Sequence, residues 1–228
     1  MAVFPSVKVM LVTGIIFGLM HALGERPEGW PGPAQLAQIT PLAKAQGAGP
    51  GKFVSATKFF SLTVPARWRT EEKVPGVALI MASSQAALDR FKGGAAFQPG
   101  DVVVNVGFLP FALLRLPGVR DLDFKFEAPP EVFLQSLLPM FHLSGDALGD
   151  ISRVSLGNGR TAGMLRVSSK GHEGLVLLVK AGEGIIALIS TVYLPGEAQR
   201  FQASVYTVAG SVDFVGTQEG LLGSIIGR

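Results

Sequence analysis

Apolar runs along the chain are separated by proline- and glycine-rich breaks, and the period of each run predicts its element. "KFVSAT" and "FFSLTVP" (residues 52–57 and 59–65) are short extended pieces of one hairpin or one bent strand, closed by Pro65. "GVALIMAS" reads as a strand, and "SSQAALDRF" as a serine cap followed by helix formers. "DVVVNVGFLP" is a β-branched strand that ends at Pro110. "DLDFKFE" (residues 121–127) alternates charged and apolar positions, the pattern of a half-buried extended segment. "APPEVFLQSLLPMF" opens a helix with proline, carries Glu131 in its first turn and meets its limit at Pro139.

The second half predicts two hairpins. "ISRVSLGNGRTAGMLRVSS" places Gly-Asn-Gly between two runs, and "GLVLLVKAGEGIIALISTVYLP" turns at "KAGEG". Residues 175–179 and 185–192 are apolar on both faces, so these strands need cover on both sides, and Leu177 and Ile189 are expected to be inaccessible. A last helix from "PGEAQRF" to Phe214 aligns Phe201, Val205, Val208 and Val212 in one buried stripe. The order predicts an α+β fold, a mainly antiparallel sheet sandwiched between helices in an α/β/α arrangement.

The first fifty residues differ. Lys8, the apolar run from Val9 to Leu23, and the small residues Ala22 and Gly24 have the layout of a secretory signal over residues 1–24, with a retained N-terminal anchor as the alternative. The run is shorter than the ~20 residues of a spanning helix. Residues 25–50 hold five prolines and four glycines, which defeats helix and strand. The segment 25–51 is therefore read as a linker, 52–214 as the domain and 215–228 as a C-terminal tail. Export to a periplasm, a lumen or the cell surface is the expected destination.

Composition narrows the chemistry. A net charge of +3, spread over scattered basic residues, is no nucleic-acid stripe. The absence of cysteine excludes disulfides, thiolate zinc sites, a cysteine nucleophile and a lipidated cysteine anchor. No glycine-rich phosphate loop, Gly-x-Ser-x-Gly elbow or His-Glu-x-x-His pair occurs. His142 and Asp146 stand four apart, but Pro139 and Gly145 argue that the helix has ended there. His172 reads as a turn residue. Glu71 and Glu72 point to opposite faces of a strand and make a poor acid–base pair. No cofactor, metal or small-molecule ligand is expected.

The phrase "FFSLTVPARW", with "EAPPEVFLQSLL" and the closing hairpin and helix from Gly174 to Phe214, resembles the PsbP-like superfamily over about residues 52–214. That family is named for the luminal extrinsic subunit of photosystem II. In physical terms the apolar strand enters the sheet, Pro65 stops its ladder, and Trp68 folds back as a lid on the core. The resemblance implies a non-catalytic accessory module that docks on a protein complex or a membrane-associated assembly. The alternative is a small extracytoplasmic hydrolase or metal-dependent enzyme built from scattered Ser, His, Asp and Glu. For docking, the loop from Phe108 to Asp123 offers Leu113, Leu114 and Leu116 as contact area, with Arg115 and Arg120 as orienting charges. The competing reading of that loop is a cap over one sheet edge.

Overall fold

A computed structural model describes residues 50–74, 78–112, 126–138, 148–157, 159–169 and 171–221. In chain order the elements are β1 (Gly51–Val54), β2 (Phe60–Val64), β3 (Arg69–Val74), β4 (Ala78–Ala82), α1 (Gln85–Gly93), β5 (Val102–Pro110) and α2 (Pro130–Leu137). There follow β6 (Leu148–Gly157), β7 (Arg160–Ser169), β8 (His172–Gly182), β9 (Ile185–Tyr193), α3 (Ala198–Ser211) and β10 (Asp213–Phe214). Seven strands form one antiparallel sheet in the order β3-β4-β5-β9-β8-β7-β6, and β1-β2-β10 form a small second sheet.

The two-faced pattern of β8 and β9 has the expected consequence. Successive side chains of a strand alternate between faces. Leu175, Leu177, Ile185 and Ile189 accordingly join one large cluster, which includes Phe201, Val205 and Val208 of α3 and Phe60 and Phe214 of the small sheet. Val176, Leu178, Ile186 and Leu188 point the other way, into a cluster with Phe133, Leu134 and Leu137 of α2. A third cluster beneath α1 gathers Ala87, Leu88, Phe91, Val103 and Val192. Leu177 and Ile189 are fully buried. One refinement concerns the cover itself: on one face it is a helix together with the small sheet, and on the other it is two short helices.

Local chemistry explains several boundaries. β2 stops at Val64, before Pro65, and Trp68 packs into the large cluster with 8% of its surface exposed. The Ser84 hydroxyl accepts from the Ala87 N–H at 3.0 Å and caps α1, as its position before the helix formers predicts. Gly157 and Gly159 have φ of 82° and 72°, values that L side chains rarely adopt, so the β6–β7 turn needs glycine at both places. Gly163 serves a different purpose: a Cβ there would lie 2.5 Å from the Pro130 carbonyl oxygen, so its bare backbone lets α2 lie directly on β7.

One strand adds to the expected order, and two expectations need correction. "RTEEKV" is the edge strand β3 and carries no apolar alternation; it is held by the ladder to β4 and by a buried Glu72, 2% exposed, that accepts from the Ala56 N–H at 2.9 Å. The last helix ends at Ser211, and Phe214 lies in β10, paired with Phe60. Phe126 and Glu127, read as extended, form a turn leading into α2, while residues 121–125 lie outside the described residues. After Phe214 the chain stays on the body as far as Leu221, which is fully buried in the large cluster.

Candidate binding cleft

Several charged side chains of the described residues hold elements together. Arg160, at the start of β7, donates to the carbonyls of Gly210, Val212 and Lys180, so one guanidinium ties the end of α3 to the sheet. A cation at that place also meets the negative end of the helix. Arg90 of α1 grips Asp101 through two bonds of 2.7 Å, and the Gln98 N–H donates to the same carboxylate. Burial alone pushes the Asp101 carboxyl up, but the Arg90 fork and the Gln98 N–H outweigh it and hold the group below the usual carboxylate range. Glu197 accepts from the Gly100 N–H at 2.8 Å, joining the start of α3 to the turn before β5.

One polar group is not spent this way. Ser168 of β7, Glu173 of β8 and Tyr193 of β9 stand in register across three strands, so they form a row on the α3 face near one end of the sheet. Arg166 lies two residues along β7 on the same face. With Gly149, Val167 and Gly174 they line an open cleft of about 200 Å3. Glu173 accepts from the Gly196 N–H at 3.3 Å. Burial, with Glu173 close by and Arg166 partly offsetting, pushes the Tyr193 hydroxyl up to about 12. It therefore stays protonated at neutral pH, as a hydrogen-bond donor. Among the described residues Arg166 enters no hydrogen bond or ion pair.

The residues singled out from the sequence fall elsewhere. Leu113, Leu114, Arg115, Leu116 and Arg120 lie outside the described residues, as do His142 and Asp146. That loop leaves the Pro110 end of β5, whereas the cleft lies by Val102 and Tyr193, which pair with one another. Along β5 itself, Val102 and Pro110 stand eight residues apart, about 26 Å at ~3.3 Å per residue. His172 is the first residue of β8, not a turn residue, and its ring meets Phe97 edge-on at 5.5 Å. As the neighbour of Glu173 along the strand, it points to the opposite face of the sheet. Glu71 binds Lys92 at 2.8 Å while Glu72 is turned inward, so the pair does split between faces.

The cleft residues were missed because each looks ordinary alone. A signal was present in the period: Ala162 and Met164 set an apolar stripe on β7, which Arg166 and Ser168 then break on the same face. Among the described residues no group of three or more His, Asp or Glu gathers to hold a metal ion, and no helix is long and apolar enough to cross a membrane.

No family model matches the chain, and no curated protein does. Solved structures similar to it include the following two. One is cyanobacterial PsbP (CyanoP) from Synechocystis sp. PCC 6803, at 12% identity over 74% of this chain and 94% of that one, with a TM-score of 0.45. The other is LpqN, involved in cell envelope biogenesis of Mycobacterium tuberculosis, at 16% identity over 76% and 88%, with a TM-score of 0.35. At such overlaps no feature of the cleft is carried across from either protein.

Proposed function

We propose that the chain is a non-catalytic, exported accessory module that docks on a protein partner, within a complex or a membrane-associated assembly. The observation that carries this reading is the composition of the cleft. Its serine has Glu173 opposite, and among the described residues no imidazole stands on its face, because His172 points to the other side of the sheet. Its tyrosine is held protonated. A serine nucleophile needs a base within hydrogen-bond reach, and a tyrosine base needs a lowered pKa. No described imidazole faces the serine and the tyrosine pKa is raised rather than lowered, while the polar groups around the open cleft suit recognition. The size of the cleft, about 200 Å3, also falls below the ~300–1,000 Å3 of small-molecule sites.

The loop carrying Leu113, Leu114, Arg115, Leu116 and Arg120 is the second contact region of this proposal, through aliphatic area ringed by arginine. Residues 1–24 act as the export signal. The test is Leu114→Ala combined with Arg115→Ala in the full chain. Partner capture from native membranes should fall while the melting temperature stays at the wild-type value. A loss of ~2–5 kcal/mol in stability, as buried leucines give, would place the loop in the core and remove it as a docking surface. Unchanged capture with unchanged melting would count against the loop altogether.

A further inference from the structure

We infer that the cleft at Arg166, Ser168, Glu173 and Tyr193 receives a carboxamide, the side chain of a glutamine or asparagine presented by the docked polypeptide. The inference rests on the docking reading and gives it a chemical specificity. Two walls of opposite character define it. On β7, Arg166 brings N–H donors that no described residue uses, and the Ser168 hydroxyl stands beside it. On β8, Glu173 gives Oε2 to the Gly196 N–H, and its Oε1 accepts from no described residue. Tyr193, 2% exposed, closes the row at β9 as the floor of the cleft.

Arg166 and Glu173 lie diagonally on adjacent strands, yet they form no salt bridge. A group entering between them meets a positive and a negative charge together. A carboxylate would gain Arg166 but be repelled by Glu173, and an ammonium would face the reverse. A primary amide carries a carbonyl acceptor and two N–H donors on one planar group, so it answers both walls at once without bringing charge. Gly149 and Gly174 add lining without side chains, and the volume suits one side chain rather than a free cofactor.

The test is a titration of the full chain, labelled with nitrogen-15, using three capped amino acids: the N-acetyl methylamides of glutamine, glutamate and lysine. The glutamine probe should move the Gly149, Ser168 and Gly174 amide signals saturably, with an affinity about tenfold above the other two probes, the worth of one charge-assisted hydrogen bond. Glu173→Gln keeps an acceptor for Gly196 and removes the negative wall, so it should switch the preference to glutamate. Arg166→Gln should switch it to lysine. No saturable shift with glutamine, or an unaltered order of preference in the two variants, overturns the inference. Partner capture measured in parallel separates the two claims. Capture without a glutamine response removes the cleft's specificity and leaves docking standing, whereas a glutamine response without capture of any polypeptide removes docking.

Discussion

On the α3 face of the large sheet, one apolar cluster runs unbroken from Phe53 and Trp68 to Leu221, and it draws on β1, β2, β10 and α3 as well as the sheet. On the opposite face the apolar side chains fall into two groups, one beneath α2 and one beneath α1. The difference follows from the size of the covers. α3 has 14 residues and shares its face with a sheet, while α1 and α2 have nine and eight. A helix rises ~1.5 Å per residue, so an eight-residue helix covers about 12 Å, well short of the ~30 Å length of β9. The lesson concerns where polarity is tolerated. At the Tyr193 end the tyrosine ring still packs with Phe201 of α3, and further out on the same face Glu173 and Ser168, with Arg166, take over.

The comparison is sharpened most by two neighbours in sequence. Leu177 and Leu178 are both fully buried, the first in the large cluster and the second beneath α2. Alanine at either should cost ~2–5 kcal/mol in urea denaturation. A value near zero at Leu178 alone would mean that the α2 cover is loose. Gly163→Ala attacks the same cover from the sheet side. Its Cβ would press on the Pro130 backbone, which cannot rotate away, so a loss of about 1–3 kcal/mol is expected. Thermal melts that match the wild type would show that α2 stands further from β7.

On the α3 face, Arg160→Gln removes the tie between β7 and the end of the helix. The carbonyls of Gly210, Val212 and Lys180 lose a charged donor, and a cost of about 1.5–3 kcal/mol should appear in denaturant midpoints. The smallest effect belongs to α1, where Asp101 is held below the usual carboxylate range. A lowered folded-state pKa contributes stability that is present above the unfolded value and is lost as pH falls through the folded one. Asp101→Asn should therefore cost about 1 kcal/mol at neutral pH, the scale of a favourable partly exposed pair. That gap to the wild type should narrow on acidification below the ordinary carboxylate range. A gap independent of pH would assign the effect to packing.

Much of the architecture was legible because the sheet's centre announces itself. Strands apolar on both faces demand two covers, and the steps of four, three and four from Phe201 to Val212 supply one of them. At β3 only a strand through Glu71 and Glu72 was legible: as an edge strand its sequence, "RTEEKV", needs no apolar face, and its pairing with β4 is a backbone matter. β10 is two residues long and is defined by Phe60 across the ladder, which no local pattern reveals. The cleft depends on register: Ser168, Glu173 and Tyr193 become neighbours through three-strand pairing, and spacing along the chain does not show which residues will stand opposite. Arg160 is similar, since its three carbonyl partners lie 20 to 52 residues away.

Hydrogen exchange of the full chain, followed residue by residue, tests the central structural claim most directly: a sheet sealed on both faces in the middle and open at its rim. Central strands covered on both sides should open only with the whole domain, whereas an exposed edge opens locally. The account predicts that the amides of β5, β8 and β9 exchange slowest and at a common rate, with β6 at the edge exchanging markedly faster. Exchange in β9 as fast as in β6 would contradict it.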